Sequence, residues 1–231
     1  MIRTVFFDFG GTLFYEKRKV PEEETLLSGY NALKEWGLQV PFEVFMDIFQ
    51  IPYRQRDREL AEKGLEINIR EFTRQIMPEL GMEPNEEAID SFIWGRFRPH
   101  SVNDEMYDDV LATLKQLKPG TKIGLISNAQ PHGILWYLDK TGIVTYFDEI
   151  IISGAVGLQK PNPRIFRLAA ESICSPPEEC MMVGDSPSAD AAGSQAVGMM
   201  GVVVDRGGRL KQSFPHLNVV ADLRDILTWI R

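Results

Sequence analysis

Six short apolar runs, rich in β-branched residues and bounded by turn signals, recur along the chain: residues 4–7, 122–126, 149–152, 180–183, 201–204 and 218–221. Each is too short for a helix and apolar on both faces. That is the pattern of a strand buried in a parallel sheet. Helix-length segments separate most of them. Residues 107–117 place Val110, Leu111, Leu114 and Leu117 at helical spacing and stop at Pro119–Gly120. Residues 134–141 and 164–173 read as helices too, and 189–196 as a short small-residue helix ending near Gly198. Strands alternating with helices predict an α/β fold, a doubly wound, mostly parallel Rossmann-like sheet.

The stretch from Tyr15 to Arg98 breaks this alternation and contains no convincing strand. Four helical patterns fit it, at 22–36, 42–63, 69–80 and 86–97, punctuated by Gly37, Gly64, Gly81 and prolines at 41, 84 and 99. Pro52 should begin or kink a helix. The expected organisation is a core of residues 1–14 and 101–231 with an all-helical insertion at 15–100.

Composition narrows the class. The chain has 231 residues and carries 25 basic against 33 acidic residues, a net charge of −8. A basic footprint for nucleic acid is missing, and an anionic membrane surface is not an expected partner. Cys174 and Cys180 are the only cysteines. They suit reduced thiols in a cytoplasmic protein better than a disulfide framework or a thiolate metal site. The N-terminal run lacks the pattern of a secretory signal, and no stretch has the roughly 20 apolar residues of a membrane span.

In a parallel α/β sheet, ligands bind beyond the carboxyl ends of the strands. The first strand ends in Asp8 and the second in Ser127–Asn128. The third ends in Ser153–Gly154, followed by a loop with Lys160. The fourth ends in Gly184–Asp185–Ser186, with Asp190 five residues past Asp185. Two close carboxylates invite a hard divalent cation such as Mg²⁺. A carboxylate can also attack phosphorus to form an aspartyl-phosphate. The Gly10–Gly11–Thr12 turn offers backbone N–H groups to an anion, and Ser127 precedes a helix N-terminus suited to phosphate oxygens. Lys160 would offset charge on a transferred phosphoryl group.

Four motifs in order, FFDFGGTL at 6–13, LISN at 125–128, LQKPNPRIF at 158–166 and VGDSPSAD at 183–190, resemble those of the haloacid dehalogenase-like superfamily. The resemblance covers the whole chain. Its long spacing between the first two motifs is that of members with a helical cap. The resemblance implies a Mg²⁺-dependent phosphatase of a small phosphorylated molecule. Asp8 would be the nucleophile, and Ser127 would bind the phosphoryl oxygens with Gly11, Thr12 and Asn128 near the substrate. Lys160 would stabilise the intermediate. Asp8, Asp185 and the Gly10 carbonyl would hold the metal, with Asp190 supporting the metal or Lys160.

The departure is Gly10. Phosphatases of this superfamily usually carry a second Asp there, which protonates the leaving group and activates water. General acid–base help of this kind contributes about 10²–10⁴-fold. His132, Tyr15 and Glu16 are the nearby substitutes. Three rival readings remain: a phosphonate hydrolase, which needs a cap lysine (Lys34 or Lys63), a metal-independent 2-haloacid dehalogenase, and a catalytically weak Mg²⁺ and phosphate-binding module. Arg54, Arg56 and Arg58 alternate within one helix and so do not share a face. Most of them are expected to be solvated, with one able to reach an anionic substrate. The aromatics Trp36, Phe42, Phe45 and Phe49 read as core of the insertion. Neither oligomeric state nor the specific substrate is legible.

Overall fold

The computed structural model describes residues 1–208, 210 and 217–230. The last residue of the expected core, Arg231, lies outside them. Six strands form one parallel sheet in the order β5-β4-β1-β6-β7-β8. They are β1 (Thr4–Phe7), β4 (Lys122–Ser127), β5 (Glu149–Ile152), β6 (Cys180–Gly184), β7 (Met200–Val204) and β8 (Asn218–Val220). All five pairings are parallel, as the runs apolar on both faces require.

Alternation along β1 separates the two faces. Val5 and Phe7 join Leu114, Ile123, Leu125 and Val202 on one side, where α6 (Val110–Leu117) and α7 (Pro131–Lys140) contribute Leu114 and Leu138. Phe6 joins Ile165, Phe166 and Met182 on the other, beneath α9 (Pro163–Ser172). Between β5 and α9 the single-turn helix α8 (Ser153–Val156) occupies what reads in the sequence as loop. The predicted helix at 189–196 is a wide π turn, Pro187–Ala192, followed by the short α10 (Gly193–Gln195).

The inserted segment is helical, with its own buried cluster built on Leu26, Tyr30, Leu33, Phe45, Phe49 and Phe92. Its helices are α1 (Glu22–Glu35), α2 (Phe42–Phe45), α3 (Ile51–Ala61), α4 (Ile69–Ile76) and α5 (Glu86–Ser101). A π segment, Met46–Gln50, joins α2 to α3 just before Pro52. Proline removes an amide hydrogen and crowds the preceding turn. Pro52 falls in the first turn of α3, as the expectation that it begins or kinks a helix requires, and the wide π turn joins it to α2. Asn68 and Asn85 cap α4 and α5 by accepting from Glu71 N and Ala88 N.

The strand-free reading of this segment does not hold at its edge. The chain leaves the core along β2 (Phe14–Glu16) and returns along β3 (Asp104–Met106), paired antiparallel with Phe14 opposite Met106. Three-residue strands with one exposed face carry almost no periodic signal, which is why the sequence does not show them. The insertion also touches the core at a second place. Gly64 O accepts from Gln159 N at 3.1 Å and from Asn162 Nδ2 at 3.0 Å. Glu66 accepts from Ser153 Oγ at 2.9 Å, and Gln130 completes the strap, its Nε2 donating to Ile67 O at 2.9 Å.

Candidate active site

Sheet register brings three strand ends together. Phe7 lies opposite Leu125 on β4 and Val183 on β6, so the next residue, Asp8, stands between Ser127 and Gly184–Asp185. Its amide donates to Val183 O at 2.9 Å, fixing the turn out of β1. Asp8 and Ser127 are buried and Asp185 is exposed.

Lys160 links the carboxylates. Its Nζ donates to Asp8 Oδ1 and to Asp190 Oδ1, each at 2.6 Å. Burial opposes its charge, but the two carboxylates outweigh that, and its pKa lies above the usual lysine value. Asp8 is pushed up to about 6, first by burial; Lys160 pulls it down, while Asp190 and Asp185 push it further up. Asp185 is raised by burial and by Asp190. Asp190 is fully engaged: Oδ1 takes Lys160, and Oδ2 takes Ser186 N at 3.0 Å. Asp190 thus bonds the lysine and also lies in the carboxylate cluster with Asp8 and Asp185.

The flanking residues hold the constellation. Thr12 Oγ1 donates to Asp8 Oδ2 at 3.3 Å. Asn128 accepts from Lys160 N at 2.8 Å, and its Nδ2 donates to Lys160 O at 2.9 Å. Both polar ends of Asn128 therefore position the lysine's backbone. Gly11 has φ +71, and a Cβ there would overlap the Asp185 carboxylate. Only glycine suits that position on both counts. Gly10 differs: its φ lies outside the left-handed region, and a Cβ would meet nothing within 4 Å.

Arg206 is a supporting residue that the sequence reading missed. It binds Asp109 through both terminal nitrogens, at 2.5 and 3.0 Å, and its Nη2 donates to Thr12 O at 2.8 Å. It thus ties the turn carrying Gly10–Thr12 to α6. The rule that strand ends carry function, applied to the end of β7, points to it.

Of the proposed substitutes for the missing acid, Tyr15 donates to Glu105 at 2.8 Å on the exposed ribbon. Glu16 lies 3.2 Å from His100 Nδ1. Both Glu16 and His132 line a cavity of about 460 Å³ between the insertion and the core, beside Phe9 and Asn128. The arginines singled out in α3 do not line it. Arg54 pairs with Glu22 and Arg56 with Glu59.

One oxygen from each of Asp8, Asp185 and Asp190 lies within 4.8 Å of the others. A donor set of carboxylate oxygens, without sulfur or imidazole, fits Mg²⁺ rather than zinc or copper.

This is a doubly wound α/β protein with its polar groups gathered at the carboxyl edge of the sheet, where ligand crevices form. Residues 2–198 match the haloacid dehalogenase-like hydrolase family, and the chain belongs to it. It is 29 % identical over 208 residues, 90 % of this chain and 85 % of the relative, to a glyceraldehyde 3-phosphate phosphatase of Methanopyrus kandleri. A phosphoserine phosphatase of Thermus thermophilus is 36 % identical over 124 residues, 52 % of this chain and 49 % of that protein. Among solved structures, a 2-haloacid dehalogenase from Pseudomonas syringae shares the fold with TM-score 0.68 at 22 % identity, covering 99 % and 97 % of the two chains. A phosphatase of the same superfamily from Thermococcus onnurineus gives TM-score 0.61 at 21 % identity, covering 99 % and 98 %. No helix among the described residues is long and apolar enough to cross a membrane.

Proposed function

We propose that the protein is a Mg²⁺-dependent phosphatase of a small phosphorylated metabolite, working through an aspartyl-phosphate on Asp8. The observation that carries this reading is Lys160 Nζ, bonded at 2.6 Å to both Asp8 and Asp190 while Asp185 stands beside Asp8. Lys160 holds the Asp8 carboxylate in one orientation and supplies positive charge where phosphoryl oxygens would gather. An Asp8 oxygen attacks phosphorus, forming a P–O bond as the ester P–O bond breaks; water then cleaves the acyl phosphate. Ser127 and the N–H groups of the Gly10–Thr12 turn receive the phosphoryl oxygens. Asp8 and Asp185, with the Gly10 carbonyl, would hold Mg²⁺, which neutralises phosphoryl charge when bound. The helices of 15–100 form the cap that selects the substrate. The two named phosphatase relatives support a phosphate ester over a haloacid.

Lys34 and Lys63 are exposed and do not line the cavity, so no cap lysine favours the phosphonate reading. The test is a panel of phosphate esters, phosphonates and haloacids, assayed with Mg²⁺ and with a chelator. Phosphate release from esters, lost in chelator and in Asp8→Asn, is expected. Metal-independent halide release would overturn the reading.

A further inference from the structure

Arg96, on α5, lines the cavity between the insertion and the core. Its Nη1 is buried without a hydrogen-bond partner. Among the described residues no carboxylate pairs with its guanidinium. Its neighbours are instead aromatic faces, Tyr53 at 5.2 Å and Phe92 at 6.0 Å from the guanidinium carbon to the ring centroid. Glu22, whose charge does reach Arg96, is already bonded to Arg54 and Gln50. Buried charges are ordinarily paired, because leaving one unpaired in a low-dielectric site is costly.

A second unpartnered polar atom lines the same cavity. His132 Nδ1 is buried without a partner, while Nε2 lies 3.3 Å from Arg70 Nη2. Nε2 also lies 3.7 Å from Asp90 Oδ1. The carboxylates on the cavity wall, Glu16 and Asp104, group with His100 at the ribbon end. They are not among the groups that act on the Arg96 charge.

We infer that Arg96 is the anchor for a second anionic group, a carboxylate or a second phosphate, on the phosphorylated substrate. This rests on the phosphatase reading for the phosphoryl end alone. The substrate class is thus a phosphate monoester with an acidic group at its far end. The apolar part of the wall, with Phe9, Ile93, Phe97 and Ile134, covers its carbon chain. His132 Nδ1 is a second buried, unpartnered polar atom in that cavity.

The experiment is calorimetric binding to Asp8→Asn protein, which cannot turn over, in the presence of Mg²⁺. The probes are linear phosphate monoesters of graded length: ω-carboxyalkyl phosphates, α,ω-alkanediol bisphosphates (a monoester at each end) and plain n-alkyl phosphates. Acid-ended esters of one length should bind at least about tenfold more tightly than the alkyl ester, as a charge-assisted hydrogen bond implies. Whether the carboxylate or the bisphosphate series wins identifies the anion. Adding Arg96→Met should bring that ratio to near one, and Arg96→Lys should restore part of it. Because methionine keeps the apolar stem and removes an unpaired charge, the melting temperature of the unliganded protein should hold or rise. The inference fails if acid-ended esters show no advantage, if the advantage survives Arg96→Met, or if that variant melts markedly lower, which would make the guanidinium structural. If no monophosphate binds but simple dicarboxylates do so through Arg96, the phosphatase reading fails and the anion anchor stands.

Discussion

Asn128 grips the backbone of Lys160 from both sides, accepting from its N–H at 2.8 Å and donating to its carbonyl at 2.9 Å. The end of β4 therefore sets where the lysine's side chain reaches across to Asp8 and Asp190. Asn128→Ala removes both bonds, each contributing about 0.5–1.5 kcal/mol. We expect kcat to fall about 10–100-fold with little change in KM, because mispositioning the lysine weakens charge stabilisation more than ground-state binding. Steady-state kinetics with an aryl phosphate checks this. A rise in KM at constant kcat would place Asn128 on the substrate instead.

Gly10 has room and an ordinary backbone conformation. Gly10→Asp should fold with an almost unchanged melting temperature, unlike Gly11→Asp, whose Cβ would overlap Asp185. Wild-type protein should prefer aryl and acyl phosphates, whose leaving groups need no proton. Gly10→Asp should raise alkyl phosphate turnover toward the 10²–10⁴-fold typical of general acid–base catalysis. Comparing aryl and alkyl esters in both proteins reads this out. Fast wild-type turnover of alkyl esters would show that another group, His132 or Glu16 first, supplies the proton.

Asp185 is exposed and keeps its carboxylate beside Asp8. Asp185→Asn should weaken Mg²⁺ activation at least about tenfold, on the scale of losing one charged ligand, and turnover should vanish in chelator. Activity titrated against Mg²⁺ distinguishes a weakened site from one that never used metal; an unshifted titration would remove Asp185 from the metal.

Glu66 fastens the insertion to the core through Ser153, and burial raises its pKa above the ordinary 4.5. A raised native pKa means the folded protein holds this proton more tightly than the unfolded chain does. Its stabilising effect is therefore full below the unfolded value and is lost as pH rises through the native value. In Glu66→Gln, the amide can donate to Ser153 Oγ, whose hydroxyl turns to Ala129 O at 3.2 Å. The variant should match wild type below the ordinary carboxylate pKa, exceed it increasingly as pH rises through the raised native value, and level off above that. Urea unfolding across that range measures the gap; a gap that closes with rising pH would contradict the assignment.

The sheet was legible because each core strand is a short apolar run ending in polar residues, and Asp8, Ser127, Lys160 and Asp185 are those ends or follow them closely. The helical insertion was legible from its 3.6-residue apolar spacing. What escaped was tertiary. The β2–β3 ribbon pairs residues about 90 positions apart with no periodic pattern. Pro52 signalled the start of α3, but the π turn that joins it to α2 has no local signal. Arg54, Arg56 and Arg58 drew attention as a cluster, whereas Arg96 stands out only once its lack of a partner is seen in three dimensions.

The central claim is covalent catalysis by Asp8. Its direct test is rapid acid quench of the Mg²⁺-loaded protein with an aryl phosphate carrying a radiolabelled phosphoryl group, followed by peptide mapping. Because Gly10 offers no base to the attacking water, the intermediate should accumulate. Label should therefore appear on the peptide containing Asp8, be released by hydroxylamine, and be absent in Asp8→Asn. Turnover without protein-bound label, or label mapped to Ser127 or His132, would contradict the account.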